Sequence, residues 1–161
     1  MGEIETRLAT LGLSLPAPIQ LPQGVSLPFP WVRVHGDRAY VSGHAPLMAD
    51  GSIACPLGRV GADLTLEEGY QAARLTGLAV LASLKAELGE LDRIVAWLRV
   101  FGMVNCAPDF DRFPAVINGF TDLIVGLFGP ERGRHARSAV GMAGLPFGIP
   151  VEIEAEVAFY P

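Results

Sequence analysis

Apolar and polar positions alternate most strictly at the end of the chain, where Val151, Ile153, Ala155, Val157 and Phe159 interleave with Glu152, Glu154 and Glu156. A period of two places the apolar set on one face and the glutamates on the other, which predicts a half-buried strand. A longer strand is predicted from Arg93 to Asn105. Ile94, Ala96, Leu98, Val100, Gly102 and Val104 form one wholly apolar face, expected to lie under helices. Val95, Trp97, Arg99, Phe101 and Met103 face the other way. Large apolar groups there need a second cover, which a neighbouring subunit would supply.

Between these strands the period lengthens to that of a helix. Thr65-Leu66-Glu67-Glu68 has the form of a capping box. Leu66, Tyr70, Ala73, Gly77, Leu81, Leu84 and Leu88 then recur at helical spacing until Gly89, which stops the helix. A second helix is predicted from Asp111 to Phe128. Pro114 is tolerable in its first turn, Phe113, Ile117, Phe120, Ile124 and Leu127 form its buried stripe, and Gly129-Pro130 ends it. Val32 to Val34 and Arg38 to Ser42 read as strands around the turn His35-Gly36-Asp37, followed by a punctuated loop from Gly43 to Asp63. His135 to Leu145 reads as a further strand. A short helix over Glu3 to Leu11 and an extended proline-rich stretch occupy the start of the chain. The order predicts an α+β domain, a mixed β-sheet with two main helices packed on one face. No repeat or low-complexity linker divides residues 1–161, so they are read as one domain, with 1–30 as a helix and proline-rich extension.

Composition sharpens this picture. Half of the 161 residues are hydrophobic and 18% are charged, which suggests apolar surface for an oligomer interface. A net charge of −5 with only 12 Lys and Arg speaks against nucleic-acid binding and against an anionic membrane surface. The densest apolar stretch, Gly77 to Leu84, is too short to span a bilayer. Met1 to Glu5 show no secretory pattern, so a cytoplasmic location is expected, with Cys55 and Cys106 as reduced thiols.

The candidate chemistry is concentrated near the end of the chain. Arg132, Arg134, His135 and Arg137 crowd together ahead of and within the strand Ala136-Arg137-Ser138-Ala139-Val140. An arginine leading into a strand offers a rigid fork of donors to a carboxylate. The structural alternative is a basic surface loop balancing the C-terminal glutamates. Strand alternation sends His135, Arg137 and Ala139 to one side and Arg134, Ser138 and Val140 to the other, so the cations cannot all converge. Among the glutamates, one held near an arginine can polarise a water, whereas the alternative is a solvated strand face. His35, His44 and His135 lack a metal-ligand spacing, so no metal site is expected. No dinucleotide, Walker or serine-hydrolase motif occurs.

Several segments, taken in order, resemble a known family. They are Tyr40-Val41-Ser42-Gly43, Asp109-Phe110 with Val116-Ile117-Asn118, Ala136 to Val140, Leu145-Pro146 and Val151 to Ala155. Their order and spacing, from about Trp31 to Phe159, are similar to the Rid family of imine deaminases, also called YjgF proteins. The likeness is to its longer-chain branch, whose members often bear the label endoribonuclease L-PSP. The resemblance implies a chorismate-mutase-like fold and a homotrimer with sites in the clefts between protomers. It also implies hydrolysis of reactive enamines and imines of amino acids to 2-oxo acids and ammonia, without metal or organic cofactor. Arg137 matches the arginine that holds the substrate carboxylate, Glu152 the glutamate that positions water, and Asn118 and Ser42 polar pocket positions. Trp31 stands where a tyrosine is common, His44 where a glutamine is frequent, and Ala139 where a cysteine is frequent, and these three are expected beside the substrate. The expected partners are further copies of the chain and a small carboxylate-bearing substrate, not nucleic acid or membrane. Two other classes stay open. One is a non-enzymatic trimer that binds a small carboxylate as sensor or scaffold. The other is a ribonuclease, which the acidity and the lack of a paired His or Lys on one element disfavour.

Overall fold

Five strands with the predicted alternations join into one sheet. In the computed structural model, which describes residues 2–161, they are β1 (Val32–His35), β2 (Arg38–His44), β3 (Ile94–Asn105), β4 (Ala136–Met142) and β5 (Val151–Phe159), in the spatial order β1-β2-β5-β3-β4. β3 and β4 run parallel and the other neighbours antiparallel. Two crossover helices make this mixed order possible, α2 (Leu66–Leu88) between β2 and β3, and α3 (Phe113–Gly133) between β3 and β4. Both pack on the same face, so the sheet is covered on one side, as an α+β layer requires. Along β5, Val151, Ile153, Ala155, Val157 and Phe159 are buried while Glu154 is exposed.

The capping box forms as predicted. Glu68 N–H donates to Thr65 Oγ1 at 3.2 Å, and Thr65 N–H donates to Glu68 Oε2 at 2.8 Å. Gly89, at φ 85°, closes the helix. Gly119 lets α2 and α3 approach closely, since a Cβ there would lie 2.0 Å from the Tyr70 carbonyl oxygen. The first helix, α1 (Glu3–Thr10), buries Ile4 and Leu8 in the same core. The proline-rich arm runs over the body without regular structure. Ala17 and Gln20 N–H groups tie it to the carbonyls of Ala49 and Gly51, each at 2.9 Å.

Two expectations are corrected. Trp97, predicted on the uncovered face of β3, is only 2% exposed and meets Phe120 and Phe128 of α3 edge-on at 5.7 Å between ring centroids. Two irregularities in the β3–β5 register, between Ile94 and Ala96 and between Trp97 and Arg99, each insert one residue. Inward positions therefore fall at Ile94, Trp97, Val100, Gly102 and Val104, and Ala96 and Leu98, predicted to lie under the helices, are left half-buried. By contrast, the main helical run of α3 ends where predicted, because Gly129 (φ 76°, ψ 170°) leaves helical geometry and Pro130 opens a separate turn that runs to Gly133. Finally, α3 rather than Gly77 to Leu84 is the apolar segment that matches a membrane span in length and composition. Its Val116, Ile117, Phe120, Ile124 and Leu127 are instead buried in the core.

Candidate active site

The pairing of β4 with β3 decides where Arg137 points. Arg137 lies opposite Val100, and Ala139 opposite Gly102, both inward positions, so the two residues turn toward α3. There Arg137 donates through Nη1 to Asn118 Oδ1 and Thr121 Oγ1, both at 2.9 Å, and through Nη2 to the Pro114 carbonyl at 3.3 Å. Pro114, Asn118 and Thr121 recur at helical spacing on one side of α3. All three acceptors are neutral. A guanidinium has five N–H donors, so two remain. Arg137 takes part in no ion pair among the described residues. Partial burial pulls its pKa below the usual arginine value, and Asp122 opposes the shift. The group keeps its charge, but that charge is partly stripped of water.

A proton chain orients the acceptors. His135 Nδ1 lies 2.8 Å from the Gly133 carbonyl, which can only accept, so Nδ1 carries the proton. Burial lowers the His135 pKa, which favours the neutral ring, and Nε2 then accepts the Thr121 hydroxyl at 3.0 Å. Thr121 thereby presents a lone pair to Arg137. Sequence reasoning missed Thr121. The signal was its i+3 spacing from Asn118 on a helix that faces the arginine.

Glu152 belongs to the other side of the sheet. β5 alternation puts it on the uncovered face, where its carboxylate lies over Gly43. A Cβ at Gly43 would meet Glu152 Oε1 at 2.1 Å, so the carboxylate can lie there only because residue 43 has no side chain. An irregularity in the β2–β5 register between Val41 and His44 lets Ser42 and Gly43 both fall between those two buried residues. The Ser42 hydroxyl donates to the Pro30 carbonyl at 2.8 Å. Half-burial raises the Glu152 carboxyl pKa, and neighbouring Glu154 adds to the rise.

Trp31 and His44 lie in a third place. His44 is turned under α2, with Nδ1 2.6 Å from the Ser42 carbonyl and Nε2 2.8 Å from Ser83 Oγ. Trp31 covers the imidazole at 5.0 Å between ring centroids. Together they border a cavity of about 660 Å³ between the arm and α2. The structure thus brings Arg137, Asn118 and Ala139 together, places Ser42 and Gly43 beside Glu152, and joins the Trp31–His44 pair to this second group through the Ser42 backbone, whose N–H donates to the Trp31 carbonyl at 3.0 Å and whose carbonyl meets His44 Nδ1. Arg137 and Glu152 lie on opposite sides of one sheet, so a site that uses both needs two copies of the chain. Among the described residues no cluster of His, Cys, Asp and Glu is suited to hold a metal ion.

Comparison with known proteins agrees with this architecture. The family model described as "YjgF/chorismate_mutase-like, putative endoribonuclease" matches residues 5–149. Protein TCP17 of Trypanosoma cruzi is 40% identical over 156 residues, which span 97% of this chain and 94% of TCP17. A crystal structure of an Agrobacterium tumefaciens protein of unknown function is also 40% identical. It matches with a TM-score of 0.86 over 98% of this chain and 94% of that one.

Proposed function

Since this chain belongs to the YjgF/chorismate mutase-like family, we propose that it acts as a homotrimer that hydrolyses reactive enamines and imines of amino acids in the clefts between protomers. The observation that carries this reading is the state of Arg137. Its guanidinium is partly desolvated, held by three neutral oxygens, and still has donors to offer. A carboxylate is the natural partner for such a fork, with each charge-assisted bond contributing about 1.5–3 kcal/mol. The uncovered sheet face supports the assembly. Phe101, Met103 and Val140 are half-buried there beside the glutamates, an apolar surface suited to a neighbouring copy.

In the proposed cleft, Arg137 of one protomer holds the carboxylate of a 2-imino acid, and Glu152 of a second copy accepts a hydrogen bond from a water. The water oxygen bonds to the imine carbon, the C=N π pair moves to nitrogen, and nitrogen takes up a proton. The carbinolamine then collapses: its hydroxyl proton passes to nitrogen, the oxygen forms the C=O bond of the 2-oxo acid, and the C–N bond breaks to release ammonia. A carboxyl with a raised pKa is suited to carry the water proton to the departing nitrogen. Such imines already react with water, so correct placement of few groups is sufficient.

The test is to generate 2-iminopropionate in situ and follow its decay with wild type and Arg137→Ala. The wild type should accelerate decay and the variant should not, with the mass of the assembly unchanged. Equal decay with both proteins removes Arg137 from the chemistry. Binding of a small carboxylate without turnover would favour the sensor or scaffold reading.

A further inference from the structure

Ser83 of α2 and His44 of β2 meet at the cavity between the proline-rich arm and α2. The imine chemistry above uses neither. At about 660 Å³ the cavity has the size of a small-molecule site. Its walls are mainly apolar, formed by Leu15, Ile19, Trp31, Leu47, Ala79 and Ala82 among others.

The polar end has a fixed hydrogen-bond sense. The Ser42 carbonyl can only accept, so the 2.6 Å contact places a proton on His44 Nδ1. Burial lowers the His44 pKa and favours the neutral ring. Nε2 is then a bare lone pair, and the 2.8 Å contact requires Ser83 to donate its hydroxyl hydrogen to it. Ser83 Oγ has no other hydrogen, and only its lone pairs remain for a ligand. Pro16, Pro18 and Pro30 have no N–H, and the Ala17 N–H is used by the Ala49 carbonyl at 2.9 Å. Of the charged lining residues, Lys85 is turned to Glu5 at 3.5 Å, and Glu87 is itself an acceptor.

We propose that this cavity binds a small neutral molecule with an aromatic or aliphatic body and one hydroxyl or N–H donor, the donor placed on Ser83 Oγ and the body against Trp31. A matched ether lacking the donor loses that bond and leaves the apolar contacts unchanged.

The experiment titrates the full-length protein with 4-ethylphenol and with 4-ethylanisole, reading tryptophan emission. Trp31 borders the cavity and Trp97 is buried in the core, so Trp31→Phe should abolish the response and thereby locate the site. The phenol is expected to bind about three- to tenfold more tightly than the ether, the value of one hydrogen bond. In Ser83→Val, whose methyl groups also cover His44 Nε2, the ratio should fall to near one. Ala82→Leu, which narrows the cavity from the side of α2, should weaken both probes alike. Equal affinities in the wild type, no response to either probe, or a ratio that survives Ser83→Val would each overturn the proposal. Arg137→Ala should leave phenol binding unchanged, so failure here is distinguishable from failure of the deaminase reading.

Discussion

Arg132 and Arg137 lie five positions apart, at the last turn of α3 and in the edge strand β4, yet their donors end in different kinds of place. Arg132 donates from Nε to the Ile94 carbonyl at 3.0 Å and from Nη2 to the carbonyls of Ile94 and Asp92 at 2.5 and 3.3 Å. Its guanidinium also covers the Phe128 ring at 5.3 Å. Those carbonyls belong to the entry into β3, so Arg132 fastens the end of one helix to the start of the central strand. Arg137 likewise uses three donors, on two side chains and one carbonyl of α3, but among the described residues it has no carboxylate beside it, whereas Arg132 Nη1 lies 4.0 Å from Glu3 Oε2. The difference teaches how to separate a structural cation from a receptive one. A fork that fastens the backbone of another element and has a carboxylate nearby serves the fold, whereas one oriented by the adjacent helix with no carboxylate among the described residues keeps its charge unanswered.

The sharpest way to break the contrast is Arg137→Ala. Turnover of 2-iminopropionate should fall roughly a hundredfold, near the upper end of what one charged contact is worth. The urea midpoint should move little, because Asn118 and Thr121 retain neighbours or solvent to bond. A variant that unfolds instead of losing turnover would make Arg137 a second Arg132. The converse change, Arg132→Ala, should lower folding stability by about 2 kcal/mol, since it leaves partly buried carbonyls of Asp92 and Ile94 without their charged donor. Turnover per folded molecule should stay within about twofold of wild type. Urea denaturation and initial rates on the same samples separate the two effects.

Much of the scaffold on which these arginines sit was legible in the residues. The Thr65–Glu68 capping box, the helical stripe ending at Gly89 and the strict alternation of β5 each follow from local chemistry that the folded chain obeys. Trp97 was not legible. A bulge changes which residue faces inward without changing composition, and nothing in Ile94 to Arg99 marks where the extra residues lie. The distinction between Arg132 and Arg137 was hidden for a similar reason. Both are cations in one basic cluster, and only the tertiary positions of Glu3, Asp92, Ile94 and Asn118 decide what each fork meets. The cavity bordered by Trp31, His44 and Ser83 was hidden more deeply. Its wall is an arm without regular period, so no pattern in the chain predicts where it docks.

A gentler change tests whether the fork itself matters or only its charge. Arg137→Lys keeps the cation but replaces a planar pair of donors by a single mobile ammonium. The ammonium cannot hold Asn118 and Thr121 and also meet both oxygens of a carboxylate. A loss of about tenfold in kcat/KM is expected. Activity equal to wild type would mean that a point charge suffices, and the geometric part of the contrast with Arg132 would fall.

Glu152 gives the smallest effect and extends the comparison to a charge that can be surrendered. Arg137 stays ionised at every accessible pH, but half-burial beside Glu154 raises the Glu152 carboxyl pKa in the folded chain. The folded state therefore holds this proton more tightly than the unfolded state does. Below the ordinary glutamate value, about 4.3, both states are protonated and the residue is neutral to stability. As pH rises through the raised value, the folded chain must ionise a partly desolvated group, and stability is lost relative to a residue that never ionises. Glu152→Gln is such a residue. It should be slightly more stable than wild type at neutral pH, with solvent screening keeping the gain small, and the gain should vanish as the solution is acidified into the ordinary carboxylate range. Urea midpoints measured across that range read the difference directly. Identical curves for the two proteins would mean that Glu152 is fully hydrated, and a hydrated carboxylate has no special standing to position water for attack on an imine.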